Sequence, residues 1–275
     1  MNEMAAPAQP DYIADAVAFR ARVPIAPEEA DGLRWQVIDT GAGNKTLCFL
    51  PGTLGNADIF RNQIEALAPG RRIISVSYPM VGDVARIADG LARLLDRRGI
   101  ETASVLGSSL GGVIAQTFAA RHPGRVAMLY IANSLADTDV IRATFPTEAV
   151  INGTPAGVLR KGILAQMAKW PEPTPEFAAI KRFLANELTT RIPGRSFKAR
   201  ALCLARLDAI PKAAVPEARI VVIQAEDDPL IPPPTREGVV RRYPGAQVHS
   251  FASGGHFPYL TRPADYSRLL VDTLD

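Results

Sequence analysis

The chain has 275 residues, 47% of them hydrophobic and 21% charged, and a formal net charge of +3 at pH 7. That length allows one large α/β domain or two small ones, with a substantial buried core. The small and scattered positive charge argues against nucleic acid as a partner, two cysteines (Cys48 and Cys203) are too few for a zinc cluster, and no window approaches the ~20 apolar residues that a membrane helix needs.

The N-terminal run Met1-Asn2-Glu3-Met4-Ala5-Ala6-Pro7 has neither a basic start nor an apolar segment, so no signal peptide is expected and the reading is a cytoplasmic protein with no membrane span. Short apolar, β-branched runs follow at 33–39, 45–50, 72–77, 103–107, 127–132, 219–224 and 247–251. They alternate with helical patterns, which predicts an α/β fold: a mostly parallel sheet flanked by helices. After the second run, Leu50-Pro51-Gly52-Thr53-Leu54-Gly55 reads as a loop, and Phe60, Ile64 and Leu67 then recur at helical spacing with Asn56 as a candidate cap. A longer helix is expected over 83–98, with Val84, Ile87, Leu91 and Leu94 on one face and Gly99 as its stop.

The next strand run opens on chemistry. Ala103-Ser104-Val105-Leu106 leads into Gly107-Ser108-Ser109-Leu110-Gly111-Gly112, and a helix-like stretch follows. This is G-x-S-x-G in a strand–turn–helix setting, a nucleophile elbow with Ser109 at its tip. Glycines flank the serine because the turn leaves no room for side chains. Ser108 lacks the glycine two positions before it. A serine hydroxyl is a weak nucleophile and needs an adjacent base.

Strand alternation stops after Asn133. Residues 140–212 carry no convincing strand and about three helices, opened by Thr154-Pro155, by Thr174-Pro175 and by Ser196. The block is expected to be a helical cap inserted into a core made of 1–139 and 213–275. When strands resume, Ile220-Val221-Val222-Ile223 is followed by three adjacent acids, Glu226, Asp227 and Asp228.

Among the three histidines, His122 precedes a helix-ending proline and His249 alternates within a strand pattern. His256 lies in Gly254-Gly255-His256-Phe257-Pro258, just past the last strand, where packing gives it no purpose; it is the candidate base. The carboxylate that would orient it is expected to be Asp228, with Asp137 as the alternative. The order Ser109, Asp228, His256 is that of an α/β-hydrolase triad. Backbone N–H groups of Thr53 and Leu110 are the candidate oxyanion hole.

Taken together, Leu50-Pro51-Gly52, the elbow, Asp228-Pro229-Leu230-Ile231-Pro232 and Gly255-His256-Phe257-Pro258-Tyr259-Leu260-Thr261-Arg262-Pro263 resemble the α/β-hydrolase superfamily. More closely, Phe19-Arg20-Ala21-Arg22-Val23-Pro24, Gly55-Asn56-Ala57-Asp58-Ile59-Phe60 and Ala132-Asn133-Ser134-Leu135-Ala136-Asp137 are similar to maspardin-like hydrolases. Pro51 departs from the superfamily, where histidine usually precedes this glycine.

The resemblance implies a serine hydrolase for a carboxylic ester or thioester of a small, partly apolar substrate, acting through an acyl-enzyme without cofactor or metal. Hydrolysis of a carbon–carbon bond by the same triad stays open. So does a non-catalytic binding role, since maspardin itself is regarded as lacking the triad histidine. This chain has His256 at the matching motif.

Overall fold

A computed structural model describes residues 10–41 and 43–274; the N-terminal run read as lacking a signal peptide lies outside the described residues. Eight strands form a single sheet: β1 (Ala26–Ala30), β2 (Leu33–Asp39), β3 (Thr46–Leu50), β4 (Arg72–Ser77), β5 (Ala103–Ser108), β6 (Val126–Ala132), β7 (Ile220–Ala225) and β8 (Gln247–Phe251). Their order is β1-β2-β4-β3-β5-β6-β7-β8. The pairs β1–β2 and β2–β4 are antiparallel, and every pair from β4 to β8 is parallel.

Strand side chains alternate between two apolar cores. In β3, Cys48 and Leu50 pack into one cluster and Leu47 and Phe49 into the other; in β7, Ile220 and Val222 oppose Val221 and Ile223. Both faces are dry, which is why these strands read as unbroken apolar runs rather than polar–apolar alternation. Each of the seven expected strands is present, with ends displaced by no more than one residue.

The helices are α1 (Tyr12–Arg22), α2 (Arg61–Leu67), α3 (Val84–Arg97), α4 (Leu110–Arg121), α5 (Asp139–Thr144), α6 (Glu148–Gly153), α7 (Ala156–Met167), α8 (Pro175–Asn186), α9 (Gly194–Ala205), α10 (Pro233–Arg242), α11 (Pro258–Thr261) and α12 (Pro263–Thr273). One sheet face is covered by α3 and α4 through residues such as Ile87, Leu91, Val113 and Phe118. Phe19, Ile64 and Leu270 from α1, α2 and α12 cover the other. The Asp83 side chain accepts from the Arg86 N–H at 2.9 Å and starts α3. No helix among the described residues is long and apolar enough to cross a membrane.

Several expectations need correcting. Strand β1 was not expected; Ala-Pro-Glu-Glu-Ala has strand geometry because it pairs with β2 across a tight turn at Asp31 and Gly32, both at positive φ. Between β6 and β7 there are five helices, α5 to α9, and a π-helical turn at Glu187–Arg191, rather than three helices. Ser196 does not open α9, which starts at Gly194 after Pro193. Asn56 precedes a 3-10 turn (Ala57–Phe60) without capping it, because its side chain is engaged elsewhere.

Candidate active site

Ser109 stands between β5 and α4 with φ 56° and ψ −120°, a left-handed backbone that costs a non-glycine residue about 1–3 kcal/mol. The surroundings impose it. Its N–H donates to the Ala132 carbonyl at 2.9 Å, and the Ser134 hydroxyl donates to its carbonyl at 2.8 Å. Neither flanking glycine could carry a side chain. A Cβ on Gly107 would lie 2.0 Å from the Gly111 carbonyl oxygen, and one on Gly111 would lie 2.0 Å from that of Leu50. Leu110 is the first residue of α4, so its N–H is one of the unpaired donors at a helix N-terminus.

His256 follows β8 in a loop held from below. One Asp227 oxygen accepts from the Gly254 and Gly255 N–H groups at 2.9 and 2.8 Å, so Asp227 clamps this loop. The Asp228 carboxylate lies beside the imidazole, with Nδ1 2.9 Å from Oδ2 and 3.1 Å from Oδ1. An ionised carboxylate only accepts, so Nδ1 carries the proton and Nε2 is left free as the basic nitrogen. Both side chains are buried, each residue 5% exposed.

The remaining contacts of Asp228 fix its orientation. Oδ1 accepts from the Leu230 and Ile231 N–H groups at 2.8 and 3.1 Å, and Oδ2 accepts from Asn133 Nδ2 at 2.9 Å. Burial pushes its pKa up, but the charge and hydrogen bond of His256, with the hydrogen bonds donated by the Asn133 side chain and the Leu230 N–H, outweigh burial and hold it below the usual carboxylate range.

Asn133 was read in the sequence as the end of the strand alternation and as part of a resembling run, but not as a partner of the candidate acid. It sits just past β6 at φ 43°, a conformation that asparagine tolerates better than most residues. An asparagine directly after a strand, before Ser134, was the available signal. Its contact with Asp228 is tertiary and leaves no local trace.

The structure separates the other candidates from this group. The Asp137 carboxylate turns back onto the Asp139 N–H at 3.1 Å. His122 ends α4 and faces Asp89 at 2.8 Å, while His249 lies on β8 with its ring against Phe251. Glu226 is exposed. Cys48 and Cys203 are free and buried, and burial pushes both thiols up to about 12.

Ser109, Leu110, His256, Gly52 and Thr53 line a single cavity of about 790 Å³. Its walls are mostly apolar, with Leu135 after β6, Ile141, Phe145, Leu159 and Phe197 from the helical block or its connections, and Trp170 after α7. Lys169 is its lysine, and among the described residues no aspartate or glutamate lines it. The loop carrying Thr53 lies against the serine: a Cβ on Gly52 would fall 3.1 Å from that of Ser109.

Comparison with known proteins identifies the family and the fold. Residues 45–263 match the model of a family described as alpha/beta hydrolase fold. Maspardin from Homo sapiens is 30% identical over 256 residues, which span 90% of this chain and 82% of maspardin. An enol-lactonase from Burkholderia xenovorans LB400 superposes with a TM-score of 0.74 at 16% identity, over 90% of this chain and 99% of the lactonase. A thermophilic esterase from Thermogutta terrifontis gives 0.69 at 21% identity, covering 91% and 96% of the two chains.

Proposed function

Because the chain belongs to the α/β-hydrolase fold family, close to maspardin within it, we propose that it is a serine hydrolase cleaving a carboxylic ester or thioester through an acyl-enzyme. One observation carries the reading. A strained serine at a strand–helix elbow opens into the same cavity as a histidine whose far nitrogen is engaged by a buried aspartate.

In this mechanism Ser109 Oγ attacks the substrate carbonyl carbon and its proton passes to His256 Nε2. Asp228 keeps the imidazole in the required tautomer and stabilises its cationic form. The negative charge on the former carbonyl oxygen is met by the Thr53 and Leu110 N–H groups, with α4 directed end-on at the site. Collapse of the tetrahedral intermediate breaks the bond to the alcohol or thiol, which leaves with the proton from His256. Water then attacks the acyl-enzyme, gives a proton to His256, and a second collapse returns that proton to Ser109 and frees the acid.

Residues 140–212 act as the cap. Their helices supply much of the apolar wall, which suits the hydrocarbon part of a small, partly apolar substrate. A non-catalytic binding role is the second reading, favoured by the similarity to maspardin.

Labelling with a fluorophosphonate probe separates the two. Wild type is expected to be labelled covalently at Ser109 and to hydrolyse short p-nitrophenyl esters, while Ser109→Ala does neither. An unlabelled, inert but folded wild type would leave the binding role.

A further inference from the structure

We propose that Arg200, a buried side chain of the helical block, is a positioning residue for the oxyanion turn, so that the hydrolytic site is complete only while α9 is seated against the loop after β3. The inference rests on the serine-hydrolase reading and on Thr53 as an oxyanion donor.

The turn is small and its geometry is explicit. Gly55 N–H donates to the Gly52 carbonyl at 3.1 Å and closes the stretch Gly52-Thr53-Leu54-Gly55. In a trans peptide the carbonyl of one residue and the N–H of the next point in opposite directions. Fixing the Gly52 carbonyl therefore aims the Thr53 N–H.

The sheet anchors only the flanks of this turn. Tyr78 donates its hydroxyl to the Pro51 carbonyl at 2.7 Å, and Ser77 accepts from the Ala57 N–H at 2.9 Å. Between the flanks, Arg200 takes over. Its Nη1 donates to the carbonyls of Thr53 at 3.1 Å and Gly55 at 2.6 Å, and Nη2 donates to Asn56 Oδ1 at 2.8 Å. Asn56 is held in turn by Glu187 at 3.4 Å, again from the helical block.

Arg200 is 2% exposed and is not among the residues lining the cavity, so it acts through the turn and not on the substrate. Its helix also reaches the cavity directly through Phe197, Ala201 and Leu204. Burial lowers its pKa to about 10, which leaves it cationic at neutral pH. The guanidinium sits 6.0 Å from the Tyr78 ring centre.

The chemistry of the group matters. A planar fork with five donors can hold three acceptors from one loop at once; a lysine ammonium offers a point charge on a flexible stem. Small displacements of preorganised donors are costly, because an oxyanion donor acts only when aimed at the charge that develops.

The test compares Arg200→Gln, Arg200→Lys and Asn56→Ala with wild type on a short p-nitrophenyl ester, with a boronic acid as transition-state analogue. Losing an oxyanion donor costs on the order of 10²–10³ in kcat, so Arg200→Gln is expected to lose about 10²-fold in kcat with KM changed less than ~3-fold. Boronate affinity should fall in step with kcat. Arg200→Lys should recover part of the loss, and Asn56→Ala, which keeps both carbonyl contacts, should show a smaller loss with the same kcat-only signature.

Circular dichroism and thermal melts accompany each variant, and if Arg200→Gln does not fold, the other two decide. Folded variants that keep kcat within ~3-fold, or that lose KM alone with boronate affinity unchanged, would overturn the positioning role. Absent turnover and absent fluorophosphonate labelling in wild type would instead bring down the serine-hydrolase reading, and this inference with it.

Discussion

Ser109 combines an unfavourable backbone with a place on the cavity wall, and its neighbours hold it there through two backbone-directed hydrogen bonds. Ser109→Ala removes the hydroxyl and leaves the fold unchanged, so circular dichroism should match wild type. Ester hydrolysis should fall by about 10⁶, because members of such a triad act as a unit. Substantial turnover by the folded variant would remove Ser109 from the mechanism. The acid can be tested separately. Asp228→Asn is expected to cost on the order of 10⁴ in kcat, since an asparagine in the orienting position favours the wrong imidazole tautomer, and Asp137→Asn should leave activity near wild type. A crippled Asp137→Asn beside a healthy Asp228→Asn would reverse the assignment. Ser109 and His256 were legible as candidate site residues because each sits in a short motif whose turn residues serve no other evident purpose. The choice among Glu226, Asp227 and Asp228 was harder. It depends on which side chain of one loop faces inward, and that is set by the Leu230 and Ile231 N–H groups and by Asn133, far away in sequence.

At the scale of elements, the helical block between β6 and β7 is not uniform. Helices α5, α6 and α7 bury one side chain each (Ile141, Ile151 and Met167), whereas α8 buries Ala179, Ile180, Phe183 and Leu184, and α9 buries Phe197, Arg200 and Cys203 among others. Few buried contacts mean low local stability. Amide hydrogen exchange is therefore expected to be fastest in α5 to α7 and slower in α8 and α9, with the central strands slowest. Uniform protection across the block would argue for a rigid layer rather than a partly mobile lid. The same contrast explains what the sequence did and did not reveal. Central strands were readable to within one residue because two-sided burial writes itself as an apolar run. Strand β1 was not, since Ala26–Ala30 is a polar edge and owes its form to pairing; the Asp31-Gly32 hairpin turn was the signal that marked it. Helix α1 was likewise passed over, although Asp11 caps it by accepting from the Ile13 and Ala14 N–H groups. Asn56 misled for the opposite reason: a good capping residue by type, it is bonded to Arg200 and Glu187.

Across the whole molecule, the largely apolar seam where the helical block meets the rest of the chain encloses a buried charged cluster, and its charges tie stability to pH. Glu187 and Asp58, 2% and 3% exposed, lie together between Arg20 and Arg191. Burial, followed by the neighbouring Asp58 charge, raises the Glu187 pKa against the opposing pull of the arginines. The native state thus holds this proton more tightly than the unfolded chain does. That contribution to stability is fully present below the unfolded carboxylate pKa and is lost as pH rises through the higher native value. Asp228 has the reverse sign: its lowered pKa contributes stability above the unfolded value, which disappears as pH falls through the native one. Glu187→Gln isolates the first effect. Well below the carboxylate range the glutamate is neutral in both states and the two proteins should melt alike. Above it, wild type carries a buried charge that glutamine does not, while Asp58 still pairs with Arg20 at 2.7 Å. The difference in Tm, variant minus wild type, should therefore increase from pH 4 to pH 8; for a chain of this size about 1 kcal/mol corresponds to roughly 2–4 °C. A difference that stays flat or declines over that range would show that the arginines compensate the Glu187 charge fully, and that the seam is no source of pH dependence.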